Sequence, residues 1–121
     1  MIKGLRTALY PAPDLAKGKA FYTEAFGVEP YFDQPFYVGY SVGGFELGLV
    51  PDATPGADGN CAYWGVDDCA AELARLLSLG ATVLEPVTDV GEGIKVASVL
   101  DPFGNALGLI ENPHFDRTQV R

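Results

Sequence analysis

The sequence predicts an α+β fold made of two tandem βαβββ modules. Three observations carry this. A helix-sized segment bounded by Asp and Gly occurs twice, at Asp14 to Gly27 and at Asp67 to Gly80. Each copy is followed by short apolar runs separated by Gly and Pro, the pattern of strands joined by tight turns. The closing runs match almost letter for letter: Gly44 then Leu47-Gly48-Leu49, against Gly104 then Leu107-Gly108-Leu109.

The elements follow in order. Leu5–Pro11 reads as a strand stopped by Pro13. Asp14 is placed to cap a helix, because its carboxylate can accept from the free amides of the first turn. Leu15, Gly18, Tyr22 and Ala25 recur at helical spacing, with Phe21 and Phe26 widening the stripe, and Gly27 supplies a left-handed stop. Strands are expected at Glu29–Gln34, Phe36–Val42 and Phe45–Val50, the last two joined by a Gly43-Gly44 hairpin turn. Pro30 and Pro35 lack an N–H and belong at strand ends or edges. After a polar, Pro- and Gly-rich joint the order restarts. A strand at Asn60–Val66 leads to an Asp67-Asp68 cap and a helix with Ala70, Leu73, Leu76 and Leu77 on its apolar stripe. Gly80 ends that helix. Strands are then expected at Ala81–Glu85, Lys95–Leu100 and Ala106–Glu111, with Asp101-Pro102-Phe103-Gly104 as a type I turn. This makes one domain: module one at 1–51, a joint at 52–59, module two at 60–113 and a tail at 114–121. A ferredoxin-like βαββαβ order is excluded, because it has only two strands between its helices.

Composition narrows the partners. The chain has 121 residues and 48% hydrophobic content, enough for one core. Its net charge of −8, with no basic stripe, argues against nucleic acid and against an anionic membrane surface. No apolar run approaches the roughly 20 residues that span a bilayer, and the N-terminus lacks a signal-peptide pattern, so a cytoplasmic location is expected. Cys61 and Cys69 fit neither a disulfide framework nor a zinc spacing and read as small buried hydrophobes. His114, the one histidine, lies beyond the last strand and reads as a solvated group.

From Leu5 to about Pro113 the sequence resembles the glyoxalase/bleomycin-resistance (vicinal oxygen chelate) superfamily. The resemblance rests on Asp14-Leu15, Phe21-Tyr22 and Gly27. It continues at Gly65-Val66-Asp67-Asp68, Leu73 and Gly80-Ala81, and is most specific at Asp101-Pro102-Phe103-Gly104-Asn105 with Leu107-Gly108-Leu109. It implies a curved mixed sheet that encloses a cup. In members with a metal, it implies four ligands, His or Gln, Glu, His and Glu, in the first and last strands of the two modules. Those positions correspond to Thr7, Gly48, Cys61 and Gly108 here. Thr and Gly are poor ligands, and one Cys alone holds no divalent ion well. No metal and no cofactor is therefore expected.

If those four face the cup, strand alternation adds Leu9, Glu46, Val50, Tyr63 and Ile110 to it. Leu47, Leu49, Ala62, Trp64, Leu107 and Leu109 then face the helices. On the middle strands, Tyr37 or Phe36, Tyr40, Val96 and Ser98 are placed near the cup. The ligand-binding candidates are thus Thr7, Leu9, Tyr37, Tyr40, Glu46, Gly48, Cys61, Tyr63, Ser98 and Gly108. Gly48 and Gly108 are expected to leave free space at the floor, and Asp89–Gly93 to form an acidic loop able to close over a ligand. The expected function is metal-independent binding of an aromatic or apolar small molecule by a homodimer. A lyase or isomerase of the glyoxalase type is the alternative.

Overall fold

The computed structural model describes every residue except Ile2, Gly4 and Arg121. Module one contains β1 (Thr7–Pro11), α1 (Leu15–Phe26), β2 (Phe32–Gln34), β3 (Tyr37–Val42) and β4 (Phe45–Val50). Module two contains β5 (Tyr63–Gly65), α2 (Cys69–Ser78), β6 (Thr82–Gly91), β7 (Ile94–Leu100) and β8 (Ala106–Glu111), and a 3-10 turn follows at Arg117–Gln119. Each module forms a four-stranded mixed sheet, β1-β4-β3-β2 and β5-β8-β7-β6. The first strand of each runs parallel to the last, and the other pairs are antiparallel. Both modules are therefore βαβββ with one topology. The hydrogen-bond ladders form two sheets rather than one continuous sheet.

The caps form as their chemistry requires. The Asp14 side chain accepts from Lys17 N, and Asp68 accepts from Ala71 N. Gly27 ends α1 at φ 67°, a left-handed conformation that a Cβ would strain. Gly18 is a stripe residue for a steric reason: a Cβ there would stand 2.9 Å from Ala12 Cβ. The Gly43-Gly44 pair, at φ 58° and 90°, closes the β3–β4 hairpin with Val42 opposite Phe45.

Three strands begin two or three residues later than the sequence reading places them. The strands expected from Leu5, Glu29 and Asn60 begin at Thr7, Phe32 and Tyr63. Pro30 has no N–H to give, so β2 starts after it, although Tyr31 N still reaches Gly39 O at 2.9 Å. The apolar face of α2 is rotated. Capping at Asp68 places Cys69 and Leu76 inside with Leu73 half-buried, and leaves Ala70 and Leu77 exposed. Finally, β6 does not stop at Glu85. It is an edge strand, so it tolerates Pro86 by shifting register on either side of it, and it continues to Gly91. The acidic loop expected at Asp89–Gly93 is therefore the strand end plus a tight turn, with Glu92 and Gly93 at φ 57° and 76°.

One core joins the modules on the helix side. Trp64 Nε1 donates to Tyr10 Oη at 2.9 Å, and the Trp64 ring meets Phe26 edge-on. Arg75 reaches from α2 to the carbonyls of Glu24 and Ala25, satisfying acceptors at the C-terminal end of α1. The Asp101–Asn105 turn is buried against module one. Tyr22 Oη donates to Asp101 Oδ2 at 2.7 Å, and Asn105 Nδ2 donates to both Asp101 Oδ2 and Pro11 O.

Candidate functional site

The strand registers define the sheet faces turned away from the helices. In module one, Leu9, Gly48, Gly39 and Phe32 stand side by side across the sheet. In module two the matching row is Tyr63, Gly108, Ser98 and Glu85. The duplication therefore superposes Leu9 on Tyr63 and Gly48 on Gly108. Thr7, Glu46 and Ser41 form the next row of module one.

Glu46 is the chemical centre of the first face. Its Oε1 accepts from Tyr37 Oη at 2.7 Å and from Thr7 Oγ1 at 3.1 Å, and its Oε2 accepts from Tyr31 Oη. These bonds, Tyr31's first and Tyr37's next, hold the carboxyl below its ordinary value. The two phenols move the other way. Donation to the carboxylate raises Tyr31, and burial followed by the same donation raises Tyr37. The bond directions are consistent with those shifts: hydroxyls donate and the carboxylate accepts.

The floor is not empty as expected. The Tyr37 ring lies over Gly48, with Cζ 2.6 Å from where a Cβ would sit, and Leu9 Cδ2 stands 2.9 Å from the same point. Gly39 leaves room for Tyr31, Tyr37 and Glu46 together, each 3.1–3.3 Å from its missing Cβ. Over Gly108 lies Tyr63, with Cδ1 at 2.6 Å and Ala62 O at 2.7 Å. Aromatic rings thus fill the space above bare glycines, a known way of covering them in a sheet. Tyr63 remains 49% exposed and Leu9 59% exposed, so both floors are open to solvent.

Of the ten sequence candidates, Thr7, Leu9, Tyr37, Glu46 and Gly48 come together in module one. Tyr63, Ser98 and Gly108 come together in module two. Cys61 precedes β5, is half-buried, and has its thiol raised by burial. Ser98 is 2% exposed, and its hydroxyl has no partner among the described residues. Tyr40 is a correction. It stands three residues from Tyr37, so alternation puts it on the other face, fully buried, with its hydroxyl bonded to Thr23 Oγ1 and Lys19 O of α1. Tyr31 was missed. No local signal marks it in the sequence: the pairing of Gly39 with Gly48, which makes room for its ring, emerges only from the strand register. Phe36 lies just before β3, 67% exposed, its ring edge-on to Phe32.

A shallow hollow of about 340 Å³ opens beside Glu46, lined by Arg6, Tyr31, Ser41, Gly44, Phe45 and Glu46. Among the described residues, no three His, Cys, Asp or Glu side chains come together as a metal site. Thr7, Gly48, Cys61 and Gly108 do not fit a divalent ion: they offer one hydroxyl and one thiol, and tyrosine rings lie over both glycines.

Fold and faces together define a two-module α+β protein that presents an aromatic, open sheet surface. Residues 4–109 match the model of the Glyoxalase/Bleomycin resistance protein/Dioxygenase superfamily, and the chain belongs to that superfamily. It is 30% identical, over 88% of its length, to the "Putative glyoxylase CFP32" of Mycobacterium bovis and of Mycobacterium tuberculosis. It spans 45% of those relatives' length. Among solved structures, it resembles a glyoxalase-related enzyme from Fulvimarina pelagi, with TM-score 0.78 and 23% identity over 93% of this chain and 90% of that one. It also resembles a lactoylglutathione lyase from Agrobacterium tumefaciens, with TM-score 0.75 and 25% identity over 96% of this chain and all of that one.

Proposed function

We propose that this chain is a metal-independent binding protein for a small, partly apolar organic molecule, and that it works as a homodimer in the cytoplasm. The observation that carries this reading is that Tyr37 and Tyr63 lie over Gly48 and Gly108, two of the positions to which the resemblance assigns metal ligands. Rings over glycine give a flat, polarisable surface with hydroxyls at its rim, suited to stacking on a planar ligand. Leu9, Tyr31 and Phe36 of module one and Tyr63 of module two are exposed apolar groups that a second copy or a ligand would cover. Cys61 and Cys69 are free thiols, and no described helix is long and apolar enough to cross a membrane.

The test is metal analysis of tag-free protein, followed by a thermal-shift screen of organic compounds with and without chelator. The reading expects well under one equivalent of metal, no chelator effect, and hits among planar compounds. A stoichiometric metal whose removal lowers the melting temperature would overturn it.

A second reading, an enzyme of the glyoxalase type, is favoured by the names of the similar proteins and by Glu46, a carboxylate held in a defined position by three hydroxyls. It requires turnover of a small metabolite that Glu46→Gln abolishes.

A further inference from the structure

We infer that the Glu46 cluster selects a ligand bearing an organic cation, an ammonium group on an apolar frame. This rests on the binding reading and adds the ligand's charge to it.

The hydroxyl protons of the cluster all point at Glu46. An ionised carboxylate only accepts hydrogen bonds, and a hydroxyl has one proton to give. Thr7, Tyr31 and Tyr37 each direct theirs at Glu46. What these hydroxyls present outward is lone pairs alone. Three hydroxyl oxygens surround the carboxylate, and Tyr31 and Glu46 carry this acceptor-rich, negatively charged group to the lining of the hollow. A ligand carboxylate, phosphate or carbonyl placed there would face acceptors. A ligand with only donors is complementary, and an ammonium is the commonest organic group of that kind.

The surrounding rings make the same choice. Phe32 lies 6.1 Å from Tyr37 and 5.9 Å from Phe36, centroid to centroid, and Tyr31 is 64% exposed. Aromatic faces beside a carboxylate attract a cation and the methylene groups that carry it. A chain with net charge −8 also draws cations toward it. Among the described residues, Arg6 is the one positive group lining the hollow. It is exposed, and its Nη1 donates to Leu5 O. It weakens the hold on a cation, and its other guanidinium N–H groups can meet a ligand anion, which the benzoate and Arg6→Ala arms below test.

Three probes sharing one ring separate charge from ring binding: benzylammonium, benzyl alcohol and benzoate. Each is titrated into ¹⁵N-labelled protein and followed at the backbone amides of Thr7, Tyr31 and Glu46. Benzylammonium is expected to bind about tenfold more tightly than benzyl alcohol, with benzoate weakest. Glu46→Gln should bring the first two within about twofold of each other. Tyr31→Phe, which keeps the ring and the carboxylate, should retain most of the preference, and Arg6→Ala should retain or increase it. Circular dichroism of each variant reports whether the fold is kept. Equal binding of benzyl alcohol and benzylammonium overturns the cation inference and leaves the binding reading standing. So does a preference that survives Glu46→Gln in a folded variant. If no probe moves these amides at tens of millimolar, the cluster is not a ligand site and the inference fails.

Discussion

Tyr37 lies across Gly48, and the residue at 48 must be glycine for the ring to stay there. A Cβ at that position would stand 2.6 Å from Tyr37 Cζ and 2.9 Å from Leu9 Cδ2, and both contacts are side chains able to move. Gly48→Ala should therefore cost about 1–3 kcal/mol by overpacking. Removing the ring should relieve it. In a double-mutant cycle by urea denaturation, Tyr37→Ala is expected to recover roughly half or more of the Gly48→Ala cost. Strict additivity of the two costs would show that the ring does not occupy that space.

Gly108 is expected to behave differently. Its missing Cβ faces Tyr63 Cδ1 at 2.6 Å, but also the backbone carbonyl of Ala62 at 2.7 Å. A ring can swing away, whereas a strand carbonyl beside a parallel ladder cannot without breaking its bond to Gly108 N. Gly108→Ala should destabilise by about 1–3 kcal/mol or more, with little rescue from Tyr63→Ala. The same urea cycle reads this, and full rescue would refute it.

The buried bonds around Asp101 tie the second module's turn to the first module. Tyr22→Phe leaves the buried Asp101 Oδ2 with Asn105 as its one remaining partner among the described residues. The expected loss is about 1–3 kcal/mol, and Asn105→Ala should cost at least as much because it also frees Pro11 O. Chemical denaturation measures both, and a cost of a few tenths for either would contradict the network's role.

Glu46 carries a pH signature of definite sign. Its carboxyl is held below the ordinary value of 4.5 by Tyr31, Tyr37 and Thr7. A depressed carboxyl contributes stability that is fully present above the unfolded value and is lost as pH falls through the lower folded one. The NMR titration of the Glu46 side-chain carbon should show a midpoint below 4.5, and Tyr31→Phe should raise it. A midpoint at or above 4.5 would contradict the bonding described.

Much of the fold was legible because local chemistry specifies it. Asp14 and Asp68 cap through their carboxylates and Gly27 through its lack of a Cβ, and the repeated Leu-Gly-Leu strands mark the duplication. Tyr40 was misplaced although Tyr37 was not, because the frame of β3 was anchored by neither a cap nor a turn at its start. β6 was cut short at Glu85, since Pro86 reads as a stop unless the strand is known to lie at an edge. The site was half legible. Glu46 and Gly48 follow from alternation, but the tyrosines that converge on them come from β3 and from the segment before β2. Only the pairing of Gly39 with Gly48 brings those two places together.

Dimerisation tests how the open faces are covered. Light scattering at micromolar concentration should report twice the chain's 12.9 kDa. A mass of one chain would mean that the exposed Leu9 and Tyr63 surfaces stay open to solvent.

The central claim is that the tyrosine-covered sheet faces bind the ligand, and amide shift mapping with a compound from the thermal-shift screen tests it most directly. Shifts are predicted at Thr7, Tyr37, Glu46, Tyr63 and Gly108, with affinity reduced several-fold by Tyr63→Ala or Tyr37→Ala. A second hollow, lined by Lys17, Phe21, Leu79 and Pro102 on the helix side, should stay silent. Shifts confined to that hollow, with affinity indifferent to both tyrosine substitutions, would contradict the account.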